Sequence, residues 1–170
     1  MWLCANSGAS YLDPAVYRHW QFVEQRLKDG AEFRVVLLDP YSKEKGFRNQ
    51  INAGGESLDS KVNIANLIKL HNTYSGLEIR FVQYGMHATV FATERCLFFD
   101  PYHVGTVGDR IENRSFAMQI EPADPNEGVG LYRLFKGHFD TLWRSSMSFT
   151  EWAEKVRDAL PPGLPQVKAR

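Results

Sequence analysis

Cysteine is scarce here: Cys4 and Cys96 are the only two in 170 residues. Two cysteines cannot build a disulfide framework, and four Cys or His ligands at zinc-like spacing are missing as well. Both cysteines lie in apolar, strand-like surroundings, so reduced thiols in a cytoplasmic protein are expected. An excess of charge is also missing, since 20 Lys and Arg balance 20 Asp and Glu. That balance removes the electrostatic case for a broad nucleic-acid or membrane surface and leaves room only for a local basic patch. No apolar run approaches about 18 residues, so neither a signal peptide nor a membrane span is expected. No internal repeat is visible.

What is present is enough apolar sequence for the core of one domain. The expected domain covers residues 1–160, and the polar, proline-rich residues 161–170 are expected to form a disordered tail. The first strand begins almost at Met1, which points to one domain cut from a longer polypeptide.

Trp2 to Ala5 reads as a strand, followed by a small polar loop through Ser10. Asp13-Pro14 has the form of a helix cap and first turn, and Val16, Trp20, Val23 and Leu27 carry a helical period to about Lys28. Phe33 to Leu38 is a continuous apolar run, as in a strand buried on both faces, and Asp39-Pro40 ends it. Strand, helix and strand at this spacing form a right-handed crossover with parallel strands. A helix over Leu58 to Tyr74, stopped by Gly76, leads into an alternating strand from Leu77 to Val82.

Two apolar runs follow, Ala88 to Thr93 and Cys96 to Phe99, joined at Glu94-Arg95 as a hairpin that ends in a turn at Asp100-Pro101-Tyr102-His103. Ser115 to Ile120 reads as a further strand. Leu131 to Ser145 is an amphipathic helix with a stripe of Leu131, Leu134, Phe135, His138, Leu142 and Trp143. Phe149 to Leu160 is a last helix capped by Ser148 or Thr150.

The hairpin region carries a spacing: His87, then Thr89, then Glu94 five positions on, then a turn at Pro101, Tyr102 and Gly105. This layout resembles the signature of the phospholipase D superfamily, in which lysine stands at the second position, aspartate at the third, and Gly-Ser and Asn at the turn. LYRLFKGHFDTLW is similar to the closing helix of many such domains. The resemblance implies an α/β fold, a phospholipase D-like mixed sheet flanked by helices in a single αβα domain; strand and helix alternation alone also fits a flavodoxin-like sensor domain. It implies no metal and no cofactor. In the family's chemistry one histidine attacks phosphorus, a second protonates the leaving oxygen, and lysine neutralises phosphate oxygens. One signature supplies one histidine, so the resemblance also implies a homodimer or a second phospholipase D-like repeat.

By that resemblance His87 and Glu94 are the candidate catalytic residues, and Thr89, Tyr102 and His103 candidate phosphate or ligand contacts. Lys43 and Arg48, after the carboxyl end of a strand, form a candidate anion-binding loop. Each has a plainer reading. His87 fits a structural strand-end histidine, Glu94 a solvated turn acid, His103 a turn imidazole in water, and the basic loop a solvated one. Thr89 keeps a donor and loses the positive charge, and removal of one preorganised donor can cost roughly a hundred- to a thousandfold in rate.

Two functions therefore stay open. One is a catalytically degenerate domain that binds a ligand, regulates or assembles within a larger protein. The other is an active metal-independent phosphodiesterase or nuclease working as a homodimer through a phosphohistidine at His87, with His103, Arg110 or Lys43 replacing the lost cation. The neutral total charge slightly disfavours nucleic acid as the phosphate-containing partner.

Overall fold

The computed structural model describes residues 1–15, 19–47, 60–101, 106–107, 110–111, 118–121 and 130–169. Strands β1 (Trp2–Ala5), β2 (Phe33–Leu38) and β3 (Leu77–Val82) pair in parallel, as the crossover pattern requires. β4 (Ala88–Ala92) and β5 (Leu97–Pro101) form the expected hairpin, and β4 lies antiparallel beside β1. A two-residue pair, β6 (Thr106–Val107) and β7 (Arg110–Ile111), stands apart. β8 (Met118–Ile120) closes one edge of the main sheet and β9 (Met147–Ser148) the other. The result is a seven-stranded mixed sheet of order β8-β5-β4-β1-β2-β3-β9.

Helices cover both faces. α1 (Ala9–Leu12), α2 (Trp20–Lys28), α3 (Ser60–Thr73) and α5 (Phe149–Lys155) share one core cluster with Leu3, Val35, Leu37, Ile79 and Phe81. α4 (Leu131–Ser145) packs Phe139 and Leu142 on the other face, against Trp2, Cys4, Val36, Leu38 and Val90. β2 thus sends Val35 and Leu37 one way and Val36 and Leu38 the other. This two-sided burial is why its sequence is an unbroken apolar run. Phe139 stacks on Trp2 with ring centroids 4.8 Å apart. Burying a side chain of that size contributes about 1.5–3 kcal/mol.

Several elements differ from the sequence reading. Asp13 accepts a hydrogen bond from the Ala15 amide at 2.8 Å. The Asp13-Pro14 signal therefore belongs to a local turn, and the long helix begins only at Trp20. The residues just before it form α1, entered through Gly8 at φ 65°. A side chain there would meet Leu37 and Leu12 at 3.0 and 3.1 Å, so both the angle and the space favour glycine.

On α4 the expected stripe is displaced: Leu131, Leu134 and His138 are exposed, and Tyr132, Phe135, Phe139, Leu142 and Trp143 face the sheet. Both sets have helical spacing, and the docking of Phe135 on Phe99 and of Phe139 on Trp2 decides between them.

Both cysteines are free thiols. Residues 161–169 run without regular structure along α3, where the Asn72 side chain bonds to the backbone of Gln166 and Lys168. Among the described residues no helix is long and apolar enough to cross a membrane.

Candidate functional site

The chain switches direction across the sheet at β1: the crossover from β1 leads to β2 on one side, and β4 returns to pair on the other. In open α/β sheets such a switch leaves a crevice beyond the carboxyl ends of the parallel strands. Four segments meet there. They are Asn6 and Ser7 after β1, residues 39–47 after β2, residues 83–86 after β3, and His87 at the entrance to β4.

Asn6 is buried and fixes the entrance. Its Nδ2 donates to the Met86 carbonyl at 3.1 Å and its Oδ1 accepts from the Met86 amide at 3.1 Å. The next residue, His87, is exposed at the start of β4. Gly85 lies under Glu44, since a Cβ built there would sit 2.5 Å from Glu44 Oε1. Glu44 and the Met86 clasp together hold the short approach to the imidazole.

Asp39 organises the floor. It is only 2% exposed, yet both its carboxylate oxygens accept hydrogen bonds. Oδ1 accepts from the Tyr41 amide at 2.8 Å and from Trp152 Nε1 at 2.9 Å, and Oδ2 accepts from Gln83 Nε2 at 2.5 Å. Its backbone carbonyl accepts from Ser42 Oγ at 2.7 Å. Burial, and secondly the negative charge of Asp39, push the Tyr41 phenol above its ordinary pKa. A carboxylate satisfied by neutral donors on all sides is built for structure, not for proton transfer.

The sequence-derived candidates separate. Lys43 opens a helical turn over 43–47 and is exposed, whereas Lys45, two positions on, is half-buried and lines a cavity of about 30 Å³ with Asn6, Ser7 and Pro40. Only the direction of the turn distinguishes Lys45 from Lys43. Glu94 lies beyond the opposite end of β4 from His87, about 20 Å of strand away. Its charge acts there on the amino group of Met1 and on Tyr132.

Thr89 is half-buried on β4, directly opposite Asp100 on β5. Asp100 and Pro101 continue the strand where the sequence suggests a turn, so a carboxylate stands beside Thr89. Arg48, Tyr102 and His103 lie outside the described residues. Arg110 is in β7. Among the described residues no three His, Cys, Asp or Glu side chains form a group that could hold a metal ion.

The strand-end cluster therefore holds one exposed imidazole and one half-buried lysine above a floor of donors gathered by Asp39. It can present donors to an anionic ligand. A larger cleft of about 390 Å³ is lined by α2, α3 and Pro14, with none of these residues in its wall.

No protein-family model matches the chain, and no curated protein matches it in sequence. The crystal structure of phosphatidylserine synthase from Haemophilus influenzae Rd KW20 is similar to it with a TM-score of 0.48 and 12% identity, over 90% of this chain and 34% of that one. The chain thus spans about a third of that protein's length.

Proposed function

We propose that the domain is a catalytically degenerate relative of phospholipase D-like domains that binds a phosphate-containing ligand at the carboxyl ends of β1 and β2. It serves as a ligand-binding, regulatory or assembly module of a larger protein. The observation that carries this reading is the pairing of Thr89 with Asp100. Phosphoryl transfer needs positive charge aimed at the phosphate oxygens, and here a hydroxyl and a carboxylate share that part of the hairpin. Binding needs less, and His87 with Lys45 supplies donors for it.

The test combines binding and turnover. Inorganic phosphate and a short single-stranded oligonucleotide are titrated by calorimetry into the protein and into the His87→Ala and Lys45→Ala variants. A chromogenic phosphodiester is incubated with the same proteins in EDTA. The reading expects binding of at least one probe, weakened in both variants, without turnover. Absence of binding to either probe overturns it.

A second reading is favoured by the exposure of His87: a phosphodiesterase or nuclease completed by a second copy across a two-fold axis. Turnover in EDTA that disappears in His87→Ala, together with a dimer mass by light scattering, would establish it instead.

A further inference from the structure

The cleft of about 390 Å³ between α2 and α3 has the size of a small-molecule site, for which about 300–1,000 Å³ is typical. Helices that lie side by side on a sheet ordinarily meet through apolar stripes. Here the facing stripes are polar. α3 presents Asn66, Lys69 and Thr73 at intervals of three and four residues, and α2 presents Gln21 and Glu24, three apart. Trp20 and Tyr74 line the same cleft edge to face, with ring centroids 5.9 Å apart.

Two opposite charges share this cleft without meeting. Glu24 stands on one wall and Lys69 on the other, and no ion pair joins them. The Glu24 carboxylate is fixed through one oxygen: Oε1 accepts from the Tyr74 hydroxyl at 2.6 Å and lies 3.1 Å from Lys28 Nζ. The bond from Tyr74, then that from Lys28, holds this carboxyl below its ordinary pKa, so it is an anion at neutral pH. Burial, then the bond to Glu24, pushes the Tyr74 phenol up to about 12, and the hydroxyl stays a donor. An exposed pair such as Lys28 with Glu24 contributes little, so it does not close the carboxylate to a ligand. Both contacts fall on Oε1, and Oε2 is left for a third donor. Lys69 is exposed, and among the described residues its ammonium makes no ion pair.

The neighbouring polar groups have already spent donors. Asn66 Nδ2 donates to the Leu12 carbonyl at 2.7 Å, and Thr73 Oγ1 donates to the Lys69 carbonyl at 2.7 Å. What they retain for a ligand is chiefly acceptor capacity, which suits an ammonium group. We propose that the cleft binds a small zwitterion, a free α-amino acid, with its ammonium on Glu24 Oε2 and its carboxylate on Lys69 Nζ. A ligand of one charge would leave the opposite wall unanswered. Pro14 and Leu70 supply the apolar lining that the ligand's side chain requires. This site is separate from the strand-end cluster, and its residues play no part in phosphate binding there.

The test uses the unmodified chain and free amino acids as probes. Each standard L-amino acid is screened at about 10 mM by saturation-transfer NMR, which suits dissociation constants of about 1 mM. The one that binds is then titrated by calorimetry beside its N-acetyl derivative, which lacks the ammonium, and its amide, which lacks the carboxylate. Binding of at least one amino acid is expected, weakened about tenfold or more in each derivative through loss of a charged hydrogen bond. Glu24→Gln should weaken the free amino acid by a similar factor and leave the N-acetyl derivative unchanged, and Lys69→Met should do the same for the free amino acid and the amide. Should a variant fail to fold, the derivative series decides on the unmodified protein. No saturable binding of any amino acid, derivatives that bind as tightly as the free amino acid, or binding that neither variant weakens overturns the proposal.

Discussion

The indole Nε1 of Trp152 donates to Asp39 Oδ1 at 2.9 Å and so ties α5 to the carboxyl end of β2 across 113 positions of sequence. The same carboxylate holds Gln83 after β3 and the turn at Tyr41. One side chain thereby fixes the floor of the candidate site.

Replacing it should be expensive. Asp39→Ala leaves the buried Trp152 indole without its acceptor, and a buried orphan costs about 1–3 kcal/mol, whereas exposed Gln83 and Tyr41 can turn to water. A loss of about 1–3 kcal/mol is expected in urea unfolding, with a smaller loss for Asp39→Asn, which keeps one oxygen. A change under about 1 kcal/mol for the alanine variant would refute the role assigned to Asp39.

Asn6 tests the entrance. Asn6→Ala removes both bonds to Met86, and about 1–3 kcal/mol of stability should go with them. Phosphate binding should weaken as well, because the approach to His87 loses its clasp. Asn6→Asp keeps the acceptor for the Met86 amide and is expected to fall between the two. Equal stability of all three proteins in chemical denaturation would contradict this.

The start of α5 carries a reciprocal cap. Ser148 Oγ accepts from the Glu151 amide while Glu151 accepts from the Ser148 amide at 2.8 Å. Ser148→Ala should cost about 1 kcal/mol. Hydrogen bonds from the Ser148 backbone, then from its side chain, hold the Glu151 carboxyl below its ordinary pKa. A depressed carboxylate pKa stabilises the fold above the unfolded value, and that contribution is lost as pH falls through the folded one. The gap between the wild type and Ser148→Ala should therefore narrow from about pH 7 to about pH 3. A gap independent of pH would show that the carboxylate takes no part in the cap.

Burial pushes the Cys4 thiol up to about 12. The thiolate is the reactive form, so Cys4 should resist alkylation at about pH 8 in the folded protein. Half-buried Cys96 should be labelled first, and mass spectrometry of the modified peptides separates the two sites. Labelling of Cys4 at the rate of the unfolded chain would show that β1 is open to solvent.

Much of the scaffold was legible because its signals are local. The apolar run of β2, the alternation of β3, the hairpin around Glu94-Arg95 and the cap at Ser148 each follow from a few neighbouring residues. Signals of the same kind misled where two local solutions compete. Asp13 makes a turn in place of a helix cap, and α4 has two stripes of helical spacing, of which the sheet selects one.

The site was less legible. Its spacing pointed to His87 at a strand entrance, where the imidazole stands, but that spacing joined it to Glu94, which strand geometry sends to the far end of β4. Nothing in the order of residues brings Asn6 to Met86, 80 positions away, although the turn at Glu94-Arg95 does set Asp100 opposite Thr89. Nor does a polar, proline-rich tail announce that Asn72 will bind it. The sequence by itself determined most of the strands and helices and the alternation of crossover and hairpin, since backbone preference and hydrophobic period act over a turn or a pleat. Only the tertiary structure decided which polar groups face one another, because a buried donor takes whatever acceptor the packing brings within about 3 Å, however distant in the chain.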